Sequence, residues 1–502
     1  MSEVNRFETD VVIVGAGNAA MSAAISAREN GADVLVLEKA PEAEKGGNST
    51  FTHGSIRFAY KDVEELKQIL PELSPEEIET TDFGTYTDEE FYDDMCRLTE
   101  YRTDPDLASL LTSESYETMN WLTAHKVRFV PIYGRQAFKV DGIFKFWGGM
   151  ILESVGGGPG LIEALHEEAE RIGVKVLFNA MAKELIHNDD GVHGVVFKHK
   201  GKTTEVHAKA VILASGGFHA NEEMRTRYLG PGWDLARARG SRFNTGEGIQ
   251  MALNIGAKSY GNWSGAHAVG GDMNAPEFAE GFQKLSYPFG LIVNAEGKRF
   301  VDEGADFRNY TYAKYGRKIL EQPGQFAWQI FDQKVTRFLR DEYKSREVTK
   351  VKANTLEELA ERMEGVDQKA FLQTMEEYNS AVQQEIPFNP NIKDGRSTEG
   401  LEIPKTNWAN TLDEGPFEAY QVTCGITFTY GGLRINTKAQ VQDVLSKSIP
   451  GLYAAGEVVG GLFYFNYPGG AGLMAGSVFG KIAGENAAHF INQRKMVKTN
   501  QV

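Results

Sequence analysis

Short apolar runs alternate with glycine clusters along this chain, and the first stretch shows the pattern most fully. Residues 10–14 (DVVIV) are apolar at nearly successive positions, as in a parallel strand buried on both faces. The turn GAGNAA at 15–20 follows, and then a segment with helical spacing of apolar residues that ends at Gly31. Residues 33–39 (DVLVLEK) predict a second strand. The order of strand, glycine turn, helix and strand predicts a parallel βαβ unit and hence an α/β fold.

The turn and the second strand carry the residues expected of a dinucleotide-binding unit. Gly15 permits a tight turn, Gly17 lets the backbone approach a pyrophosphate, and Ala20 allows close packing of the helix on the strand. The free N–H groups and positive dipole end of the helix favour phosphate. Glu38 ends the second strand, 18 residues beyond Ala20, where a carboxylate can accept from ribose hydroxyls. The complete pattern predicts dinucleotide binding rather than a glycine turn without a ligand.

Later parts of the chain favour a flavin dinucleotide over NAD. After Glu38 the sequence continues with KAPEAEKGGNST (39–50) instead of the next helix of a simple NAD domain. Residues 210–218 (AVILASGGF) and 449–461 (IPGLYAAGEVVGG) each predict a strand that leads into a glycine turn, the second with an acidic residue after the strand. Residues 466–488 (NYPGGAGLMAGSVFGKIAGENAA) predict a glycine turn and a long helix of small residues. Strands on both sides of a long insertion suit a two-part flavin fold.

Length and charge narrow the classes of function. A chain of 502 residues suggests two to four domains, and it can bury several cores without a disulfide or metal staple. The net charge of −16 argues against a nucleic-acid partner, which a basic surface would mark. Hydrophobic residues make up 41% of the chain and charged residues 24%, so extensive disorder is excluded.

The cysteine content, one long uncharged stretch and the amino-terminal sequence together indicate the cellular compartment. Cys96 and Cys424 are the only cysteines and lie far apart in sequence, which excludes a disulfide framework, a cysteine-rich cluster site and a CxxC redox pair. The uncharged residues 458–480 contain too many glycines for a spanning helix. The amino-terminal sequence MSEVNRFETD lacks the pattern of an export signal. We therefore expect a cytoplasmic protein with no integral membrane segment.

Six longer motifs point to a family: GAGNAA (15–20), GGNS (46–49), NTGEG (244–248), GKRFVDEGADFRNYTYAKYG (297–316), GLYAAGEVVGG (451–461) and NYPGGAGL (466–473). With them, nearly the whole chain resembles the flavoprotein family of fumarate reductase, succinate dehydrogenase and 3-ketosteroid dehydrogenase, and most closely its tricarballylate-dehydrogenase-like branch. The resemblance implies a two-part Rossmann-like FAD-binding domain of the glutathione-reductase type, residues 1–265 and 414–502. An α+β cap domain, residues 266–413, would be inserted between them. The amphipathic helical pattern at 355–385 is compatible with this insertion.

The resemblance also implies how FAD is held. Glu457 would bind the ribityl chain, and the helix after Gly470 would direct its positive end at the flavin ring. Ser49 occupies the position of the histidine to which some family members attach the flavin, so we expect noncovalent FAD. His53 is expected to form a local hydrogen bond instead of an attachment. The expected FAD contacts are Gly15, Gly17, Asn18, Ala19, Ala20, Glu38, Lys39, Gly46, Gly47, Asn48, Ser49, Ala182, Ala214, Ser215, Gly216, Gly217, Asn244, Gly246, Gly456, Glu457, Gly472 and Leu473.

The family reaction moves a hydride between a substrate carbon and flavin N5, and a proton at the adjacent carbon. This implies a dehydrogenase that introduces a C=C bond α,β to a ketone or carboxylate of a small substrate. Tricarballylate and a cyclic keto acid such as 4-oxocyclohexanecarboxylate are the candidates. An ene-reductase running in the opposite direction and a flavin electron-transfer or accessory protein remain open. The electron acceptor is also open between oxygen, a quinone and a redox protein.

Arg308 is the nearest match to the arginine that delivers the proton in fumarate reductases, with spacing that departs by one residue. Three roles stay open for it: proton transfer, binding of a substrate carboxylate, and an ion pair with Asp302 or Asp306. An arginine with a pKa above about 12 is a poor base unless its site is unusual.

Two substitutions relative to the fumarate-reducing relatives argue against fumarate as the substrate. Phe428 replaces a histidine and Tyr467 an arginine, both of which bind a substrate carboxylate in those relatives. Tyr-Pro-Gly is instead the pattern of ketosteroid dehydrogenases, in which the tyrosine hydroxyl polarises a ketone oxygen. Tyr467 is our candidate for that role, or else it packs beside the flavin with its hydroxyl bonded to backbone.

Three further features are candidates for the substrate cavity. Tyr312 and Tyr310 are candidate general bases, because a nearby cation would lower a tyrosine pKa from about 10. His267 is either a pocket residue or a satisfied loop histidine. The glycines at 156–160 either approach the isoalloxazine or only begin a helix.

Overall fold

The structure is a computed structural model and describes residues 5–279 and 281–499. Its strands are β1 (Asn5–Val14), β2 (Val34–Leu37), β3 (Ser55–Ile56), β4 (Thr81–Asp82), β5 (Phe129–Pro131), β6 (Ala137–Val140), β7 (Ile143–Phe146), β8 (Leu152–Ser154), β9 (Lys175–Leu177), β10 (Ala180–Asn188), β11 (Gly191–His199), β12 (Lys202–Leu213), β13 (Arg237–Ala238), β14 (Ser259–Asp272), β15 (Leu291–Val293), β16 (Phe326–Phe331), β17 (Lys350–Ala353), β18 (Phe417–Leu433), β19 (Gln440–Gln442) and β20 (Ser448–Ala454).

Fourteen α-helices lie within the described residues, and the sequence predicted only some of them. They are α1 (Asn18–Glu29), α2 (Gly47–Thr50), α3 (Val63–Ile69), α4 (Pro75–Glu79), α5 (Asp88–Leu98), α6 (Pro105–Ser113), α7 (Ser115–Ala124), α8 (Gly157–Arg171), α9 (Glu222–Met224), α10 (Glu247–Asn254), α11 (Tyr312–Leu320), α12 (Leu356–Arg362), α13 (Gln368–Ala381) and α14 (Ala471–Thr499).

An eight-stranded sheet forms the larger layer, with the order β10-β11-β12-β1-β2-β9 and with β20 beside β12 and β19 beside β20. Strands β9, β2, β1, β12 and β20 are parallel. The central apolar run Val11–Val14 is buried, as the sequence predicted for a strand covered on both faces. Because parallel strands end at one edge, the glycine turns after β1, β12 and β20 meet there. The α/β fold class predicted from the sequence is confirmed.

Helices α1 and α14 pack closely on this sheet although they lie at opposite ends of the chain. A Cβ on Gly480 would lie 2.5 Å from the carbonyl oxygen of Ala19, and one on Gly484 2.3 Å from that of Ala23. The side-chain amide of Asn18 donates to the carbonyl oxygen of Leu473 at 2.8 Å. The small residues of α14 are therefore required by the approach of α1.

A six-stranded sheet forms the second layer, with the order β13-β18-β16-β15 and with β14 and β17 also paired to β18. The long antiparallel strands β14 and β18 run from the first layer into the inserted segment, with His267 opposite Phe428. Helices α12 and α13 cover a core on this sheet that includes Leu359 and Phe371. The predicted limit after residue 265 falls inside β14, and that after 413 falls just before β18. Those domain limits stay predictions.

Within residues 5–279 and 281–499, no helix combines the length and the apolar character needed to cross a bilayer.

Candidate active site

A cavity with about 1700 Å³ of empty volume lies at the carboxyl edge of the parallel strands and extends to the inserted sheet. Its walls at the strand edge are mostly backbone and small residues. Its walls at the inserted sheet are arginine, tyrosine and histidine side chains. We call the two parts the nucleotide end and the polar end.

The turn after β1 brings backbone to the nucleotide end. Gly15 has φ +106°, and a Cβ there would lie 2.4 Å from the carbonyl oxygen of Ala214 at the end of β12. A Cβ on Gly17 would lie 3.1 Å from the carbonyl oxygen of Gly46. Only glycine allows the two strand ends and the 46–49 loop to converge on the start of α1.

Glu38 follows β2 and lines the cavity with 7% of its surface exposed. Its Oε1 accepts from the backbone N–H of Ala40 at 2.7 Å. Burial raises the pKa of Glu38 above its usual value. The adjacent Lys39 pairs with Glu247 at 2.8 Å. Glu38 thus presents an enclosed carboxylate where the sequence predicted a ribose contact.

Glu457 follows β20 and is the acidic residue that the sequence placed after the last strand. Its Oε1 accepts from the backbone N–H of Thr429 at 2.8 Å, and its Oε2 from the amides of Asn48 and Asn244 at 3.3 and 3.4 Å. Burial raises the pKa of Glu457 to about 7, although these hydrogen bonds act in the opposite direction.

The start of α14 forms the wall between the two ends. Gly470 has φ +83° and precedes the helix, and Gly472, Leu473 and Gly476 line the cavity. The free N–H groups and the positive dipole end of α14 therefore lie at the cavity. Ser49 also lines it, and its Oγ accepts from the backbone N–H of Asn18 at 3.2 Å.

Most of the residues predicted to contact FAD line this one cavity. They are Gly15, Gly17, Asn18, Ala19, Glu38, Lys39, Gly46, Gly47, Asn48, Ser49, Ala182, Ala214, Ser215, Gly216, Asn244, Gly456, Glu457, Gly472 and Leu473. Ala20, Gly217 and Gly246 are absent from its lining. A Cβ on Gly217 would lie 2.3 Å from Glu457 Oε1, and one on Gly246 2.5 Å from Met224 Sδ, so both glycines leave room for these neighbouring side chains.

The nucleotide end fits FAD by its chemistry. It combines glycine backbone, a helix start for phosphate, and two enclosed carboxylates for hydroxyl groups. Buried polar atoms remain to be satisfied there: Ser215 Oγ and Thr427 Oγ1 have no hydrogen-bond partner among the described residues, and both residues line the cavity.

Two tyrosines meet in the polar end. The hydroxyls of Tyr312, at the start of α11, and Tyr467, in the turn before α14, lie 2.9 Å apart. The ring of His267 contacts both edge-on, at 5.0 and 5.1 Å between centroids. Phe428 stacks on Tyr467 at 6.2 Å. The sequence predicted Tyr312 and Tyr467 separately, and the structure brings them together.

Burial and the neighbouring groups shift the pKa of Tyr312 in opposite directions. Burial raises the pKa of Tyr312, whereas the hydrogen bond from Tyr467 and the charges of Arg239 and Arg308 lower it. Burial, and then Tyr312, hold the pKa of Tyr467 well above its usual value. Burial lowers the pKa of His267 to about 3, so its imidazole is neutral at pH 7.

Arg308 lies in a single turn, Arg308–Tyr310, just before α11. Its guanidinium lines the polar end and donates to the carbonyl oxygen of Arg135 at 2.7 Å. Burial, together with the charge of Arg340, lowers its pKa well below the usual value. Of the predicted ion-pair partners, Asp302 accepts from Thr406 at 2.9 Å and Asp306 from Arg97 at 2.8 Å.

Arg340 and His53 complete the polar end, on either side of Glu342. Glu342 Oε1 lies 3.0 Å from Arg340 Nη2 and 3.3 Å from His53 Nε2. His53 and Arg340 line the cavity. Burial raises the pKa of Glu342, but these two neighbours outweigh it and the net direction is downward.

Tyr310 does not line the cavity, and its hydroxyl points into a neighbouring buried cluster. Arg57 Nη1 lies 3.3 Å from that hydroxyl and donates to Tyr86 at 2.9 Å. Arg57 Nε also donates to the carbonyl oxygen of Gly469, in the turn that follows Tyr467. The cluster therefore stabilises the turn that carries Tyr467.

Sequence reasoning missed three arginines of the polar end: Arg135, Arg239 and Arg340. Each comes from a separate segment, and no motif surrounds it. The substitutions at Phe428 and Tyr467 remove a histidine and an arginine from the expected family pattern, and these three arginines supply positive charge from elsewhere.

Comparison with known proteins gives consistent matches. A family model described as FAD binding domain matches residues 10–473. The chain is 32% identical to a fumarate reductase (cytochrome) of Shewanella frigidimarina over 96% of this chain and 77% of that one. It resembles the solved open conformation of a flavocytochrome c3 fumarate reductase with TM-score 0.72 and 28% identity, over 97% and 79% of the two chains. It also resembles 3-ketosteroid-Δ4-(5α)-dehydrogenase of Rhodococcus jostii RHA1 with TM-score 0.71 and 25% identity, over 97% and 98%.

Proposed function

This chain belongs to the FAD binding domain family of flavoproteins, and from that premise we propose that it introduces a C=C bond beside a carboxylate of a small substrate. It is a FAD-dependent oxidoreductase that acts on CH–CH groups, in common with fumarate reductase and 3-ketosteroid dehydrogenase. The carboxylate as activating group, the direction of the reaction and the roles of individual residues are the parts that we propose.

The observation that carries the proposal is a hydrogen-bonded tyrosine pair in a cavity that Arg239 and Arg308 also line. Tyr312 and Tyr467 share one hydrogen bond, and the charges of Arg239 and Arg308 act on Tyr312. A buried cation without a carboxylate partner is costly, so an anionic substrate group beside Arg308 would be strongly favoured. This environment supports a carboxylate over an uncharged ketone.

We assign proton transfer to Tyr312. Its hydroxyl oxygen accepts from Tyr467 in the favourable arrangement, and both arginines stabilise its ionised form. Desaturation then transfers the proton of the carbon next to the carboxylate to Tyr312 Oη. Bound FAD supplies the hydride acceptor for the adjacent carbon. Arg308 binds the carboxylate and stabilises the negative charge that develops on its oxygens.

Tyr467 and His267 hold the reacting part of the substrate. Tyr467 keeps its hydroxyl proton because its pKa is well above the usual value, so it remains a hydrogen-bond donor. The neutral His267 can donate one hydrogen bond, and neither of its ring nitrogens bonds another residue in the described part of the chain. With Phe428 closing one side, these groups fix the substrate plane.

Tricarballylate and 4-oxocyclohexanecarboxylate remain the substrate candidates, since each has a carboxylate and a neighbouring CH–CH bond. Reduction of an unsaturated acid uses the same residues in reverse. The relative named fumarate reductase supports that second direction. We further propose that FAD is held noncovalently, with Ser49 bonded to the start of α1 at the position of the family's attachment histidine.

Anaerobic mixing with a panel of acids and ketones tests the function. We expect saturated carboxylates to bleach the flavin absorbance near 450 nm in the purified holoenzyme, and the α,β-unsaturated acid to form as the product. Reoxidation of the reduced flavin by an unsaturated acid, with no bleaching by any saturated one, would assign the reductive direction. Bleaching by a ketone that lacks a carboxylate, and by no acid, would contradict the proposal.

A further inference from the structure

We propose that Arg340 binds a second carboxylate of the substrate, remote from the bond that reacts. This inference rests on the proposed function and narrows its substrate class to acids with at least two carboxylates. It adds a specificity-determining residue from a segment that no motif marks.

The first observation is the unsatisfied guanidinium of Arg340. This residue is 7% exposed and lines the polar end of the cavity. One nitrogen, Nη2, lies 3.0 Å from Glu342 Oε1. The other two, Nε and Nη1, are buried without a hydrogen-bond partner in residues 5–279 and 281–499. Buried donors of this kind are usually satisfied, and a planar guanidinium suits a carboxylate.

The second observation is the charge balance around it. Arg135 pairs with Glu153 at 3.4 Å, and Arg340 pairs with Glu342. Arg308 lies next to both arginines, with its Nη2 on the carbonyl oxygen of Arg135. Three guanidinium groups therefore share two carboxylates, and an incoming anion would remove the excess positive charge.

The third observation is the position of Arg340 relative to the tyrosine pair. Arg308 and Arg340 line the main cavity together with Tyr312, and both also line a smaller neighbouring cavity whose lining does not include Tyr312. Both arginines therefore lie where the two cavities meet. A substrate with one carboxylate at Arg308 can extend toward the smaller cavity to reach Arg340.

A second, smaller cavity shows that the space continues there. It has about 370 Å³ of empty volume and shares four residues with the main cavity. These residues are Arg135, Leu285, Arg308 and Arg340. The remaining wall is largely aromatic, with Trp147 stacked on Phe307 at 4.3 Å. The arginines are thus the main charged groups on this wall, which suits a carboxylate at the end of a short chain.

The test compares two acids that differ only in the remote carboxylate: glutarate, which has two carboxylates, and butyrate, which has one. Dissociation constants come from the shift of the flavin spectrum, and kcat/KM from turnover with an artificial acceptor. In wild type we expect kcat/KM to favour glutarate over butyrate by about 10- to 100-fold, the usual value of a charge-assisted hydrogen bond. Arg340→Gln should reduce that ratio to near one, because the remote carboxylate loses its partner. Arg340→Lys should retain part of it.

Controls separate binding from folding. Arg346→Gln removes an exposed arginine of the same segment and should keep the wild-type ratio. If Arg340→Gln does not bind FAD, Arg340→Gln/Glu342→Gln removes both charges together and is measured instead. An equal loss for both acids in these variants, or an unchanged ratio, would overturn the Arg340 assignment and leave the proposed function intact. Failure of every saturated acid to bleach the wild-type flavin, together with failure of every unsaturated acid to reoxidise it, would overturn the function itself.

Discussion

At the nucleotide end of the cavity, the wall consists of backbone that converges from the ends of β1, β12 and β20. At the polar end, the wall consists of side chains that reach in from eight separate segments. Gly15 tolerates no Cβ because Ala214 lies 2.4 Å from where one would be. Arg340, by contrast, sits in a segment whose backbone has no such restriction. The first end depends on local sequence and the second on tertiary packing.

This contrast predicts different consequences of mutation. At the nucleotide end, one added methyl group changes the backbone and with it the binding of the whole cofactor. At the polar end, the loss of a side chain changes catalysis or specificity, but the protein still binds FAD.

The largest effect is expected at Gly15. Gly15→Ala should abolish FAD binding, because its φ of +106° is strained for alanine and the new Cβ would meet the carbonyl of Ala214. The ratio of absorbance at 450 and 280 nm of the purified protein measures this. Gly271→Ala, where nothing lies within 4 Å of the added Cβ, is the matched control and should keep its flavin. Because we propose that FAD is bound noncovalently, acid precipitation of the wild-type protein should also leave the flavin in the supernatant. If Gly15→Ala still bound FAD, the proposed difference between the two ends would be contradicted.

The next effect separates the two candidate bases. Tyr312→Phe should keep FAD and lose roughly 10²- to 10⁴-fold in the rate of flavin reduction, the usual range for general acid–base catalysis. Tyr310→Phe should lose far less, because its hydroxyl lies in the Arg57 cluster. In wild type, the rate of desaturation should rise with pH toward pH 10, since the pKa of Tyr312 is raised by burial. A larger loss in Tyr310→Phe than in Tyr312→Phe would reverse this assignment.

The smallest effect concerns the stability of the flavin-free protein. The pKa of Glu457 is about 7 in the folded protein and 4.5 in the unfolded chain. As the pH rises, the unfolded chain therefore loses this proton at a lower pH than the folded protein does. Stability should therefore decrease as pH rises from about 4.5 to 7, by about 3 kcal/mol from this residue. Glu457→Gln should remove that part of the pH dependence, as measured by urea unfolding of wild type and variant at pH 5 and 7.5. Identical slopes for both proteins would exclude Glu457 as its source.

The sequence predicted the nucleotide end well because its constraints are local. The turn at 15–20, the acidic residue after β2 and the glycine turn before α14 each combine a strand or helix boundary with a residue type that only that geometry requires. The predicted strands and helices of this part agree with the structure in order and type. The small residues that the sequence places in α14 are the ones that allow the close approach of α1.

The polar end was predicted only in part. Tyr312, Tyr467 and Arg308 were found through motifs, but their distances depend on how the inserted sheet meets the first. Arg239 and Arg340 have neither motif nor periodicity, since a long side chain can reach a cavity from many backbone positions. Tyr310 lies only two residues from Tyr312, yet the turn before α11 directs it to another cluster.

The contact between α1 and α14 has a consequence for how the protein is made. The amide of Asn18 bonds the carbonyl of Leu473, so residues more than 450 positions apart close one wall. The ribosome has to synthesise the chain at least as far as Leu473 before this wall exists, and such distant pairing slows folding. The first βαβ unit of a nascent chain would therefore lack a complete FAD site until α14 has been synthesised.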